Sequence, residues 1–186
     1  IPGPWMESIQ VSKGTSSVIN GYEATTGQIN VEYLKPQKTN PIALNLFMNS
    51  EFRTEVNATG GWNINNKLST AVLAHYKNDG MEMDANHDGF MDLPKSNQIN
   101  LLNRWYYKSG NYTGQILVRG LYDERRGGQM TKLALTNPYN IAIDTKRIDA
   151  FMKNGYVFDP EKGTSIGVIV SGSYHEQTGI YGERLY

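Results

Sequence analysis

The sequence predicts an all-β, antiparallel fold, and three features of its 186 residues carry that prediction. Apolar side chains recur at every second position from Pro41 onward, short and long connections alternate between these runs, and tyrosine and tryptophan gather near the ends of the runs. Alternation of apolar and polar residues is typical of strands that have one apolar and one polar side. No stretch approaches about 18 consecutive apolar residues, so the sequence contains no candidate transmembrane helix.

Seven strands are predicted from these alternating runs. In the second run Val56, Ala58 and Trp62 lie on one face, while Glu55 and Asn57 lie on the other. The predicted strands are 42–49, 54–64, 68–76, 97–107, 112–122, 147–158 and 165–175. Their length of roughly 8 to 12 residues is what a tilted strand needs to cross a bilayer.

The connections between the predicted strands alternate in length. Short turns join strands two and three at 65–66, four and five at 108–111, and six and seven at 159–163. Connections of roughly 20 residues, 78–96 and 123–146, lie between them and exceed the usual loop length. Tight turns at one end and long loops at the other are typical of outer-membrane β-barrels.

Two architectures are compatible with this pattern, a transmembrane antiparallel β-barrel and a soluble β-sandwich. Aromatic residues near the strand ends would form the girdles of a barrel, although aromatic residues also favour strands in general. The polar side of the strands carries four charged residues, Glu55, Arg104, Arg119 and Asp149. Charged side chains on this side favour the water-filled interior of a barrel over the apolar core of a sandwich.

Composition excludes several classes of function. The formal net charge is +0, so neither a nucleic-acid-binding surface nor a polybasic membrane anchor is indicated. The chain has no cysteine, which excludes disulfides, thiol nucleophiles and cysteine-based zinc sites. No signature of a hydrolase or metalloprotease is present, so no catalytic residue is assigned and the chain is not expected to be an enzyme.

The segment IQVSKGTSSVINGYEATTGQINVEYLKP resembles the end of the plug domain of TonB-dependent outer-membrane receptors. In that family a strand leads into a basic residue and glycine, then a small-residue segment, then an Ile-Asn-Val strand. The matching residues include Lys13, Gly14, Ser17, Gly21, Ala24, Gly27, Ile29 and Asn30. The resemblance covers roughly the first 38 residues, and the alternating strands follow in the order that the family requires.

The resemblance implies that residues 1–38 are the C-terminal part of a plug domain and that 39–186 are the first seven to eight strands of a 22-stranded barrel. It further implies an importer in the outer membrane of a Gram-negative bacterium, with membrane lipid, TonB and a small nutrient ligand as partners. A metal chelate such as a ferric siderophore or cobalamin is the favoured cargo, and a surface lipoprotein is a further candidate partner. The chain, which does not begin with methionine, is expected to be a piece of a longer protein.

Within the first long connection, DANHDGFMD has the spacing of a calcium-binding loop. The candidate ligands are Asp84, Asn86, Asp88, the carbonyl of Phe90, and Asp92, with Gly89 at the sharp turn. Lys95 stands where a bidentate glutamate would complete the loop, and no helices flank it. The alternatives are a structural Ca²⁺ in an outside loop, and a turn that holds itself by side-chain hydrogen bonds.

Two neighbouring arginines, Arg125 and Arg126, begin the second long connection and are candidate contacts for an anionic ligand, because guanidinium groups pair with carboxylate and phosphate. The alternative is that they are ordinary solvated charges at the base of a loop. The sequence also leaves open a function of a different class. The chain would then be a binding module, built as a soluble β-sandwich that calcium stabilises.

Overall fold

A computed structural model describes residues 1–15, 26–133 and 136–185 and confirms that the chain is all-β and antiparallel. Two short 3₁₀ turns, Gly3–Trp5 and Thr131–Leu133, are the helical elements of the described residues. Within those residues no helix has the length and apolar character needed to span a membrane.

In the described part of the chain, ten strands form two sheets. The first sheet is a hairpin of β1 (Met6–Lys13) and β2 (Gly27–Tyr33), which we call the N-terminal hairpin. The second is an antiparallel sheet of eight strands that are hydrogen-bonded in sequence order. Its strands are β3 (Ala43–Met48), β4 (Thr54–Asn63), β5 (Leu68–Asp79), β6 (Lys95–Ser109), β7 (Tyr112–Gly128), β8 (Asn140–Asp159), β9 (Thr164–Tyr181) and β10 (Arg184–Leu185).

All seven predicted strands are present, as β3 to β9, and each pairs with the next in the chain. The connection between the two sheets runs from Leu34 to Ile42, so the predicted boundary between 38 and 39 lies within it. Where the connection is a tight turn, as at 64–67 and 110–111, it brings the next strand directly alongside the last. The sheet is open in the described residues, with β3 at one edge and the short β10 at the other.

The prediction of a long loop over 123–146 was wrong. Strand β7 continues to Gly128 and β8 begins at Asn140, so charged residues assigned to a loop instead belong to paired strands. Opposite charges stabilise this extension, since the Arg126 guanidinium lies 2.6 Å from the Asp144 carboxylate on the neighbouring strand. The ends of the sheet nevertheless differ. Short turns at 64–67, 110–111 and 160–163 lie at one end, and the longer connections 80–94 and 129–139 lie at the other, together with the short connections 49–53 and 182–183.

One side of the eight-stranded sheet, which we call the open face, is apolar and uncovered. The strand register places Leu101, Gly120, Ile148 and Tyr174 in one row across β6 to β9. Leu101 and Ile148 retain 54% and 55% of their accessible surface. Other aromatic residues flank the row on both sides along the strands: Tyr76 and Tyr122 towards the loop end, and Trp62, Trp105, Tyr107, Tyr112 and Tyr156 towards the turn end.

The other side, which we call the docked face, carries the N-terminal hairpin. Trp5, Ala71, Leu73 and Leu102 are fully buried there, with Tyr33, Leu34 and Leu117 packed against them. The rest of this face is rich in polar groups, including Asn57, Asn100 and Asp123. The hairpin therefore packs on the more polar side of the sheet, and no described residue forms a second layer over the apolar side.

Candidate functional site

The candidate site is the contact between the N-terminal hairpin and the docked face. Trp5 immediately precedes β1 and is fully buried. Its carbonyl accepts a hydrogen bond from the Leu34 amide at 2.9 Å, which ties the two ends of the hairpin together. Its indole ring meets His75 of β5 edge to face, with ring centroids 6.4 Å apart. A single large side chain therefore anchors the hairpin to the sheet.

A partly buried arginine fixes the end of β2. The Arg104 guanidinium donates to the backbone carbonyl of Tyr33 at 2.9 Å and to that of Leu34 at 3.3 Å. Its second terminal nitrogen donates to the side-chain carbonyl of Gln115 at 3.0 Å. Because these acceptors belong to consecutive residues that leave the hairpin, Arg104 determines where the chain exits towards β3.

A second contact joins the hairpin to β7 and β8. Arg119 lies beside Asp149 across the strands, with 2.6 Å between guanidinium and carboxylate. Arg147 also donates to Asp149, at 2.8 Å. Arg119 further donates to the Tyr33 hydroxyl at 3.2 Å. Of the charges named on the polar side of the strands, Arg119 and Asp149 are thus brought together, and Arg119, like Arg104, binds the hairpin. Glu55 instead pairs with Arg53.

Glycine allows the chain to pass close over the docked face before it enters β3. A Cβ added to Gly61 would lie 2.6 Å from the Thr39 side chain and 2.9 Å from its carbonyl. The Gly61 amide donates to the Asn40 carbonyl at 2.9 Å. Any side chain at this position would push the connection away from β4.

The residues that carry the family resemblance fall partly within the hairpin. Lys13 pairs with Gly27, Ile29 lies opposite Val11, and Asn30 donates from its side chain to Gln10 at 3.2 Å. Gly14 has φ of +86°, a conformation that favours glycine, and its amide donates to the Thr26 carbonyl at 3.1 Å. The remaining matches, Ser17, Gly21 and Ala24, lie outside the described residues.

The predicted calcium loop is closed by hydrogen bonds of its own side chains. The Asp84 carboxylate accepts from the amides of Asp88 and Gly89, both at 3.1 Å. Asp88 accepts from the Phe90 amide at 2.8 Å, and Asp92 from the Ala85 amide at 2.7 Å. Asn86 donates to Asp88 at 3.0 Å. These are the bonds expected of a turn that is stabilised by its own side chains. The described residues contain no group of three or more His, Cys, Asp or Glu side chains placed to hold a metal ion.

Calcium in this loop therefore stays a prediction, and replacement of Asp84 and Asp88 by asparagine tests it. Asparagine keeps an oxygen that can accept the backbone hydrogen bonds, but it removes the charge that Ca²⁺ requires. If calcium binds, calorimetry of the folded protein should show a binding event that Asp84→Asn with Asp88→Asn abolishes, while the variant remains folded. The absence of any calcium event in the parent protein would refute the prediction.

A neighbouring carboxylate links the two long connections. Glu82 accepts from Lys95 at 2.7 Å and from both the amide and the hydroxyl of Thr131, the amide at 3.0 Å. The hydrogen bond from Lys95, followed by those from Thr131, lowers the pKa of Glu82 to about 2. The carboxylate is therefore charged at neutral pH and holds residues 80–94 against the loop that follows β7.

The arginine pair does not form one site. Arg125 and Arg126 are adjacent on β7, so their side chains point to opposite faces of the sheet. Arg125 pairs with Asp123 at 2.9 Å on the docked face, whereas Arg126 pairs with Asp144 on the open face. Binding of an anion by either arginine stays a prediction, and joint binding is not supported by this geometry.

Sequence reasoning missed Trp5 and Tyr33 as the residues that hold the hairpin to the sheet. Trp5 follows two prolines and a glycine, which was a signal for an ordered entry into β1 rather than a frayed end. Tyr33 ends β2 one position before the chain leaves the hairpin. Neither contact has a periodic signature, because each joins residues distant in the sequence.

Comparison of the chain with protein-family models, with curated proteins and with solved structures found no match.

Proposed function

We propose that this chain forms the first part of a β-barrel in a bacterial outer membrane, with the N-terminal hairpin as part of a plug inside it, and that the whole protein imports a scarce nutrient. The observation that carries the proposal is the open face, an exposed apolar surface bounded by aromatic rings at both ends. Soluble proteins rarely leave so large an apolar surface uncovered.

The dimensions of this face support the proposal. On β7, Tyr112 and Tyr122 are separated by about 33 Å of extended strand. A strand tilted by about 40° would place these two residues about 25 Å apart along the membrane normal, which is the height of the apolar band of outer-membrane barrels. The side chains between them on the open face include Ile116 and Val118.

The opposite face supports a wet interior. Arg104, Arg119 and Asp149 lie on it, and the N-terminal hairpin, which resembles the end of a plug, is bound there. A soluble calcium-stabilised sandwich receives less support, because the hairpin covers the polar side rather than the apolar side. Membrane lipid would then contact the open face, and closure of the sheet would require strands that pair with β3 and with the length of β9 that the short β10 leaves unpaired.

Transport would depend on movement of the plug and not on bond-making chemistry, so the protein is proposed to be no enzyme. TonB, and a metal chelate such as a ferric siderophore or cobalamin, enter the proposal through the resemblance of residues 9–36 alone. A surface lipoprotein over the loop end would be a further partner of such a receptor.

Fractionation of native cells tests the proposal. An antibody against this chain is expected to detect, in the outer membrane, a band much larger than 20.9 kDa whose mobility changes on boiling, as closed barrels show. Uptake of radiolabelled ferric siderophore and cobalamin, with and without TonB, then tests import by the same cells. A soluble band near 20.9 kDa without a heat shift would contradict the membrane assignment.

A further inference from the structure

A cavity of about 500 Å³ lies between the N-terminal hairpin and the docked face. Strand β2 forms one wall with Val31 and Glu32, and the sheet forms the other with Arg104, Leu117 and Lys153. This volume is within the range of about 300 to 1,000 Å³ that is usual for small-molecule sites. The cavity borders the segment that resembles a plug, through Asn30, and includes Arg104 from the polar side of β6.

The cavity has an excess of positive charge. Lys153 forms no ion pair with any of the described residues, and the hydrogen bonds of Arg104 all go to neutral oxygens. The carboxylate that lines the cavity, Glu32, is bound to Lys35 at 3.2 Å, and this contact lowers the pKa of Glu32. Arg104 and Lys153 therefore face the cavity without a hydrogen-bonded carboxylate among the described residues, although Glu7 and Glu32 interact electrostatically with Arg104 at longer range.

Arg104, which lines the cavity, keeps N–H donors that none of the described residues accepts. Both hydrogens of one terminal nitrogen go to the carbonyls of Tyr33 and Leu34, and one hydrogen of the other goes to Gln115. A guanidinium has five N–H donors, so the Nε hydrogen and one terminal hydrogen remain without an acceptor among the described residues. Such a pair of donors matches the two oxygens of a carboxylate or phosphate.

An apolar wall stands beside these donors. Leu117 and Phe151 lie next to Arg104 in the strand register and line the cavity, with Val31 opposite them on β2. We propose that this cavity binds a small organic anion, with its carboxylate or phosphate held by Arg104 and Lys153 and its apolar body against Leu117 and Phe151. The proposal does not depend on membrane insertion, because it rests on the hairpin and the docked face alone.

Calorimetry with three probes tests the chemistry of the site on the purified full-length protein. Phenyl phosphate combines an anion with an apolar body, inorganic phosphate supplies the anion alone, and benzyl alcohol supplies the apolar body alone. We expect phenyl phosphate to bind at least about tenfold more tightly than either of the others, because only it satisfies both walls. Its affinity should fall as the salt concentration rises.

Two variants locate the binding. Lys153→Gln removes one cation, and Gln115→Glu places a charged partner of the same shape beside Arg104 without breaking the existing hydrogen bond. Each should weaken phenyl phosphate about tenfold or more. Lys146→Gln is the matched control, because Lys146 lies on the same strand but on the open face, and it should change nothing.

Failure of phenyl phosphate to bind at millimolar concentration would overturn the proposal, as would equal binding of inorganic phosphate. Binding that neither Lys153→Gln nor Gln115→Glu weakens would place the anion elsewhere and would also overturn it. Because the readout is binding by purified protein, it is independent of the cell fraction in which the protein is found. Anion binding by a soluble protein would support this site while refuting the proposed membrane function.

Discussion

Replacement of Val170 by arginine is expected to prevent assembly of the protein in the outer membrane. Val170 lies midway along the apolar positions of β9 on the open face and is 53% exposed. In a bilayer its neighbourhood would be hydrocarbon, and arginine at the midplane of a barrel costs about 2 to 4 kcal/mol. The heat-shifted band of the outer-membrane fraction should therefore be strongly reduced in Val170→Arg cells.

Ser171→Arg is the matched control for this experiment. Ser171 is the next residue of β9 and is also exposed, but it lies on the docked face, where arginine would meet water. Its outer-membrane band should remain near the parent level. If both variants assembled equally well, the open face would be a water-exposed surface, where substitutions usually change stability by less than about 0.5 kcal/mol, and the membrane proposal would be refuted.

Replacement of Trp5 by alanine is expected to release the N-terminal hairpin from the sheet. Truncation of a fully buried tryptophan typically costs about 3 to 5 kcal/mol, and the Trp5 side chain is completely buried against the docked face. Its indole N–H has no hydrogen-bond partner among the described residues, so the loss would come from packing. Hydrogen exchange should show faster exchange of the β1 and β2 amides, while those of β6 and β7 keep their protection.

Two further variants define what that result means. Ile9→Ala removes a side chain of β1 that is 55% exposed, and it should leave exchange of the hairpin unchanged. Trp5→Phe keeps an aromatic ring beside His75 and should fall between the parent and Trp5→Ala. Unchanged exchange in Trp5→Ala would show that the hairpin is held mainly by the hydrogen bonds from Arg104 and Arg119.

The eight-stranded sheet was largely predictable because its signals are local. In β4, the apolar positions Val56 and Trp62 are an even number of residues apart, and this alone places them on the same face. The turn residues at 65–66 and 108–111 then define which strands are neighbours. The prediction of a long loop over 123–146 was wrong, since the strands extend beyond the predicted runs, β7 to Gly128 and β8 from Asn140. Cross-strand pairing of Arg126 with Asp144 stabilises these extensions.

The candidate site was less predictable, because its contacts join distant parts of the chain. Arg104 could be assigned to the polar side of a strand, but its binding to the carbonyls of Tyr33 and Leu34 depends on where the hairpin packs. Lys153 could be recognised as a candidate anion contact only from the structure, where it and β2 line the same cavity. Neither relation leaves a periodic pattern in the sequence.

By itself, the sequence determined that this protein is an antiparallel all-β chain with strands that are apolar on one side, since backbone alternation and turn chemistry act between near neighbours. Only the tertiary structure decided that the N-terminal hairpin covers the polar side and leaves the apolar side exposed. The physical reason is that burial of Trp5 and the bonds of Arg104 and Arg119 form between segments far apart in the chain, where shape and charge must match in three dimensions.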